Sequence, residues 1–370
     1  MKHNFLTNQY LKDALLLEQD LSIAEKTVAW QSPANIALIK YWGKRGEQLP
    51  DNPSISFTLS KSLTQTEVTY RQLTKNEKKL EFYFEGTQKP EFEKKLLSYL
   101  DKLQTFLPFL KSLKLIIHSH NTFPHSAGIA SSASSISALA LCLTSIENQL
   151  FGTLANTDSF YRKASFLARL GSGSACRSLY GPCALWGFST QIANSSDETA
   201  IPLNSLINSE FTTYQDAILV VDSSPKEVSS SAGHNLMHSH PYRNGRNKQS
   251  VANLVKLTEA LHTGNHSVFT EIVENEALSL HGLMLSSETG FVLMKPNTLS
   301  IIQHIKTFRK QTGLPCAFTL DAGPNVHLLY PLKVKYQLIN FIETTLKPLC
   351  ENEVWIDDAL STGPCLISKD

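Results

Sequence analysis

Between residues 27 and 86 the chain runs in short stretches rich in β-branched and aromatic residues, at 27–30, 36–41, 54–59, 65–71 and 80–84, parted by Pro, Asn, Asp and Lys. That rhythm predicts a meander of antiparallel strands. From 92 to 110 the period changes. Phe92, Leu96, Leu97, Leu100, Leu103, Phe106 and Leu107 recur at helical spacing and predict one amphipathic helix. An apolar strand at 113–118 leads into a small-residue stretch at 121–135, which opens a helix over 136–143. A further helix over 159–170 is ended by Gly171. Polar residues without period at 195–210 mark the expected border between two units, 22–205 and 206–370. The second unit carries a strand at 216–222, helices at 251–262, 268–280 and 299–311, a strand at 317–320 and a last helix at 336–346. A short helix at 10–18 is read as an extension without chemistry. Strands and helices segregated in this way argue an α+β class.

Composition narrows the function. At 370 residues, with 42% hydrophobic and 18% charged residues, the chain reads as a soluble globular protein with a sizeable core. Lys plus Arg (34) nearly cancel Asp plus Glu (33), so no global field recruits nucleic acid or an anionic membrane. An anionic ligand must therefore be held by local groups. Apolar runs fall short of the ~20 residues that span a bilayer. Six cysteines without a C-x-x-C pair, and no signal-peptide profile, predict reduced thiols in a cytoplasmic protein.

Four stretches carry candidate chemistry. In 121–135, Gly128 lets backbone approach a ligand, Ala127, Ala130 and Ala133 add no bulk, and a helix start leaves N–H groups for an anion. Ser131, Ser132 and Ser134 could add hydroxyls, to phosphate or to a metal that phosphate holds. A Ser/Ala turn packed on a sheet is the plain alternative. In 34–45, Lys40, Tyr41 and Lys44 stand near a strand end where Gly43 permits a turn, a grip for phosphate oxygens or else core aromatics flanked by solvated lysines. In 169–181, a Gly-Ser-Gly-Ser turn brings Ser172 and Ser174 near Arg177, which suits a diphosphate or carboxylate, or neutralises a buried acid. In 318–326, Asp321 ends an apolar strand before Ala-Gly-Pro-Asn, as a rigidly held general base or as a turn residue. A polar loop at 228–235 holds Ser230 and Ser231. His234, His238 and His240 lack an H-E-x-x-H pattern, so zinc is not expected. The basic run 243–248 reads as a solvated turn.

The stretch Pro124-His-Ser-Ala-Gly-Ile-Ala-Ser-Ser-Ala133 resembles the nucleotide-binding loop of the GHMP kinase superfamily, P-x-x-x-G-L-x-S-S-A, with Ile129 for the usual Leu. No Walker loop occurs in the chain. With Asn35-Ile-Ala-Leu-Ile-Lys-Tyr-Trp-Gly-Lys44, Gly171-Ser-Gly-Ser-Ala-Cys-Arg-Ser-Leu-Tyr-Gly181 and Asp321-Ala-Gly-Pro-Asn325 in the same order, the chain resembles the diphosphomevalonate decarboxylase family.

The resemblance implies a GHMP-kinase two-lobe α+β fold, with a ribosomal protein S5 domain 2-like N-terminal lobe and a ferredoxin-like C-terminal lobe. It also implies ATP-driven decarboxylation of mevalonate 5-diphosphate to isopentenyl diphosphate with Mg2+, in a homodimer. Asp321 would take the proton of the C3 hydroxyl, Lys40 would stand near the transferring phosphate, and Arg177 would hold the substrate carboxylate. Tyr41, Lys44, Ser172, Ser174, Ser230 and Ser231 would meet the substrate diphosphate. Asn35, Pro124, Gly128, Ala130, Ser131, Ser132 and Ser134 would form the nucleotide site, with Ser131 at the metal. The chain departs from the family at His234, where Met is usual, in lacking an Arg that some bacterial members carry near Ser231, and in its longer N-terminal extension. The alternatives are action on mevalonate 5-phosphate and a non-catalytic GHMP-fold binding protein.

Overall fold

The computed structural model describes residues 5–18, 22–123, 131–224 and 230–369, with backbone alone at 230–232, 368 and 369. Pro124, Gly128 and Ala130 lie outside the described residues, as do the side chains of Ser230 and Ser231.

The helices are α1 (Phe5–Ala14), α2 (Pro90–Leu103), α3 (Ser131–Phe151), α4 (Thr157–Gly171), α5 (Ser209–Thr212), α6 (Ser230–Leu236), α7 (Arg243–Thr263), α8 (His266–Leu285), α9 (Pro296–Thr312) and α10 (Lys335–Phe341). The strands are β1 (Lys26–Ala37), β2 (Lys44–Arg45), β3 (Leu49–Pro50), β4 (Ser54–Gln72), β5 (Leu80–Phe84), β6 (Thr87–Gln88), β7 (Leu113–Asn121), β8 (Cys183–Trp186), β9 (Ala200–Pro202), β10 (Tyr214–Leu219), β11 (Ala317–Thr319), β12 (Val326–Pro331), β13 (Trp355–Ala359) and β14 (Cys365–Lys369). One sheet runs β14-β1-β4-β7-β5-β6, with β8 and β9 continuing from β4. A second, antiparallel sheet runs β11-β12-β10-β13.

Several expected elements change at identifiable residues. The strands expected at 54–59 and 65–71 are one strand, β4. Between them Ser60, Lys61 and Ser62 give their backbone N–H groups to the Asp358 carboxylate at 2.9, 2.7 and 2.8 Å, so a polar stretch that read as a break stays extended. The helix expected at 92–110 ends at Leu103, because Pro108 lacks an N–H and disfavours helical backbone at Leu107; a 3-10 turn follows from Pro108 to Ser112. The basic run 243–248 is the opening of α7, where Arg246 is buried. β14 returns from the far end of the chain to pair with β1, so the span expected as a second unit, 206–370, ends inside the first sheet.

The lobes share one apolar core. Ile36, Ile55 and Phe57 of the first pack with Leu254, Leu257 and Phe269 of the second. Burial on this scale fixes how the two halves meet, since each apolar side chain removed from water contributes about 1.5–3 kcal/mol. The N-terminal helix packs into a separate core of the first lobe: Tyr10 meets Phe166 edge-on at 4.9 Å, and the Glu198 carboxylate accepts from the N–H groups of Leu6 and Thr7.

Candidate active site

Lys40 is where the two lobes meet. β1 ends at Ala37, and the N–H groups of Leu38 and Ile39 both turn to the carbonyl of Ile55, so Lys40 leaves the sheet before the expected strand end at 41. Its backbone is then held from the second lobe. Its N–H donates to Glu276 at 2.9 Å, and its carbonyl accepts from Arg246 at 3.0 Å and from Asn52 at 3.0 Å. Glu276 and Arg246 are themselves a buried bidentate pair at 2.8 and 2.6 Å. With the backbone pinned, Lys40 Nζ reaches the carbonyl of Ala37 at 2.7 Å and Asp321 Oδ1 at 3.1 Å. Burial pulls the Lys40 ammonium below its ordinary range, and Asp321 opposes that pull.

Asp321 follows the end of β11. Its carbonyl accepts from Gly323 N at 2.8 Å and faces His281 Nε2 at 3.1 Å. Burial holds His281 down at about 4, so it is neutral near pH 7 and its Nε2–H is the donor. The rest of the turn is tied down by Thr298, whose hydroxyl donates to the Pro324 carbonyl, and by Asn325, whose Oδ1 accepts from Val221 N and Asp222 N. The carboxylate stays 29% exposed, so a ligand can reach it.

Arg177 lies on the 3-10 turn Gly173–Leu179 and is buried. Its Nη1 donates to Ser54 Oγ, and its Nε donates to Asn35 Oδ1 at 3.3 Å. Burial lowers its pKa, opposed by Cys176 and then Asp321, and Ser54 Oγ in turn donates to the carbonyl of Ile39, the residue before Lys40. Tyr41 stacks edge-on against Trp186 at 4.7 Å, and its buried hydroxyl has no partner among the described residues. A Cβ on Gly173 would stand 2.9 Å from that hydroxyl and 2.7 Å from Trp186, so this closeness requires glycine. Gly43 has φ +94°, the turn expected before Lys44, whose half-buried ammonium bonds Gln48. Ser172 and Ser174 are half-buried on the same turn.

α3 passes the end of α4 at its second turn, where a Cβ on Gly171 would come within 2.8 Å of Ile136. Ser131 and Ser132 line a cavity of about 260 Å³ walled by Phe82, Phe84 and Phe92, with Lys95 at its edge. The buried Asn121 amide nitrogen beside it has no partner among the described residues. A flat aromatic base fits such walls, and an unpaired donor suits its polar edge.

Two expected nucleotide contacts lie elsewhere. The Ser134 hydroxyl is buried against Thr64 at 2.6 Å, on the sheet side of α3. Asn35 gives both amide hydrogens to the protein, to Ser178 Oγ at 2.8 Å and Ser174 O at 3.2 Å, and so orients Arg177. Sequence reasoning missed Asn52, Ser54, Arg246, Glu276 and His281. A charged residue facing inward on a helical pattern was the available signal for Glu276, and it pointed to no partner. Among the described residues no group of three or more His, Cys, Asp or Glu could hold a metal ion.

Residues 32–200 match the family model described as diphosphomevalonate decarboxylase-like N-terminal domain, and residues 217–363 match the mevalonate 5-diphosphate decarboxylase C-terminal domain. The diphosphomevalonate decarboxylase of Eremothecium gossypii is 31% identical over 330 residues, covering 84% of this chain and 79% of that protein. Among solved structures, the mevalonate diphosphate decarboxylase of Staphylococcus aureus is 31% identical with a TM-score of 0.79, covering 93% of this chain and 99% of that one. Another similar protein, solved in complex with MVAPP, AMPPCP and magnesium, is 30% identical with a TM-score of 0.77, covering 93% and 99%. With both lobes matched in order, and with Lys40, Arg177 and Asp321 brought together, the chain belongs to the diphosphomevalonate decarboxylase family.

Proposed function

We propose that this chain catalyses the ATP-dependent decarboxylation of mevalonate 5-diphosphate to isopentenyl diphosphate, with release of ADP, phosphate and CO2. The observation that carries the reading is the convergence of Asp321, Lys40 and Arg177 where the lobes meet, Lys40 paired with Asp321 and Arg177 joined through Ser54 to the carbonyl of Ile39, the residue before Lys40. The ligands of the similar complex, MVAPP, AMPPCP and magnesium, fit this arrangement.

A tertiary alcohol is a poor leaving group and first becomes a phosphate ester. Asp321 accepts the proton of the C3 hydroxyl as its oxygen bonds to the γ-phosphorus of ATP and the bond to ADP breaks. Lys40 stands 3.1 Å from that carboxylate and offers positive charge to the phosphoryl oxygens. The C3–O bond then breaks with loss of phosphate. The electrons of the bond to the carboxyl carbon form the new double bond, and CO2 leaves. Arg177 is a fixed planar fork for that carboxylate and helps keep Asp321 ionised. Tyr41, Lys44, Ser172 and Ser174 surround the substrate diphosphate.

The absence of an acidic cage among the described residues fits magnesium, which usually binds through substrate phosphates and few protein oxygens. Ser131 and Ser132 are the hydroxyls placed to assist. Bound there, the ion would neutralise phosphate charge. We also place the chain in the cytoplasm as a homodimer, readings that rest on the sequence and the family resemblance.

The test is incubation with Mg-ATP and either mevalonate 5-diphosphate or 5-phosphate, following ADP and CO2 together. Equal ADP and CO2 with the diphosphate supports the reading. ADP without CO2 marks a kinase, and turnover of the monophosphate alone marks a phosphomevalonate decarboxylase. Arg177→Lys is expected to lower kcat/KM by about 10²-fold or more, because a point charge cannot replace two bonds in a fixed fork. Steady-state kinetics checks this, and an unchanged kcat/KM would remove Arg177 from the carboxylate site.

A further inference from the structure

His234 on α6 is buried and lies against two aromatic rings, with centroids 4.2 Å from Tyr41 and 4.8 Å from Trp42. The fit depends on Gly233, where a Cβ would stand 2.5 Å from Trp42. The backbone N–H of Gly43 donates to His234 Nδ1 at 3.0 Å. A ring nitrogen that accepts a hydrogen bond carries no proton, so the proton of the neutral ring is on Nε2. The geometry of the ring points that N–H away from the Gly43 backbone. No acceptor engages it among the described residues. Burial, with Lys44 and Arg177 adding like charge, holds the imidazole at about 3, so it is a neutral donor throughout the working pH range.

This donor has a defined neighbourhood. The Tyr41 hydroxyl is buried and has no partner among the described residues, and Lys44 and Arg177 are the charges that act on the ring. The carboxylate beside Gly43, Asp51, is already paired with Arg243 at 2.7 Å, so the donors and cations that remain complement a phosphate oxygen. Lys40 meets Asp321, where C3 reacts, whereas the ring bonds the backbone three residues on, at Gly43, where the chain turns. A ring held by Gly43 and close to Lys44 therefore belongs with the phosphate furthest from C3.

We propose that His234 is a further substrate-binding residue, donating its Nε2–H to an oxygen of the terminal phosphate of mevalonate 5-diphosphate beside Tyr41 and Lys44. The inference rests on the activity proposed above.

The experiment compares the full-length wild-type chain with H234F, which keeps a ring and removes the donor, and H234Q, which keeps a donor. Each is assayed with Mg-ATP and mevalonate 5-diphosphate, and mevalonate 5-phosphate is measured as substrate or competitive inhibitor. H234F is expected to raise KM for the diphosphate about tenfold, the loss of one hydrogen bond to a charged group. That rise exceeds the loss in kcat and is the same from pH 6 to pH 9. H234Q recovers part of it, and the 5-phosphate constant moves by less than a third as much. Equal KM values in wild type and H234F overturn the inference, and so does an equal shift for both substrates, which marks a packing role. Should H234F fail to fold, H234Q against wild type with the two substrates gives the same comparison: a larger change in the diphosphate constant than in the 5-phosphate constant supports the contact, and equal changes overturn it. No decarboxylation by the wild-type chain overturns the activity and this inference with it.

Discussion

Asp321→Asn is expected to lower kcat by about 10²–10⁴-fold while leaving nucleotide affinity nearly intact. The amide has the shape of the carboxylate but cannot take the proton of the attacking hydroxyl. The proposed nucleotide contacts lie at the start of α3 and in the cavity beside it, whose lining does not include Asp321. A second effect follows from Lys40. Burial already lowers its pKa, and Asp321 is the largest opposing influence. Removing that negative charge lowers the Lys40 pKa further, so the ammonium loses its proton at a lower pH as pH rises. The residual rate of the variant is therefore expected to fall off on the alkaline side at lower pH than that of the wild type. Single-turnover rates across pH, with nucleotide binding measured by titration, check both parts. A near-normal kcat would remove Asp321 from proton transfer.

Glu276→Ala is expected to destabilise the protein by about 3–5 kcal/mol, the usual result of leaving one member of a buried pair uncompensated. Arg246, 3% exposed, would lose both of its carboxylate contacts, and Asn253 would lose another at 2.7 Å. The Lys40 N–H would also lose its acceptor. For a chain of this length the loss corresponds to a fall in Tm on the order of 5–10 °C. Because the same carboxylate fixes the backbone of Lys40, kcat is expected to fall as well, and the two readouts together separate this residue from an ordinary core position. Thermal denaturation of the variant with a Tm within a degree of wild type would show that the clamp is dispensable.

Much of the fold was legible wherever one short segment determines its own structure. The runs at 27–30 and 80–84 lie in strands, and the helices expected over 159–170, 268–280 and 299–311 lie within α4, α8 and α9. The small strands β8, β9, β12, β13 and β14 were not read, because short strands take their stability from neighbours that are distant in sequence. In the candidate site, Lys40, Tyr41, Arg177 and Asp321 were singled out by their motifs, and the fold places Lys40 Nζ 3.1 Å from Asp321. Ser134 and Asn35 were placed at the nucleotide because motif spacing gives no information about which way a side chain turns, and packing against Thr64 and Ser178 decided that.

The linear chain by itself determined the family and the α+β class and marked the proposed reacting groups, since these depend on residue types at close spacing: a helix opening on serines, a glycine turn before an arginine, a carboxylate at the end of a strand. Tertiary structure alone decided what holds them. The Arg246 and Glu276 clamp on Lys40, the Asp358 joint on β4 and the orientation of His234 join residues that lie about 190 to 300 positions apart. Each forms because the groups left unpaired when β1 and β4 leave regular pairing must find partners across a dry interface. No local pattern records which distant side chain will supply them.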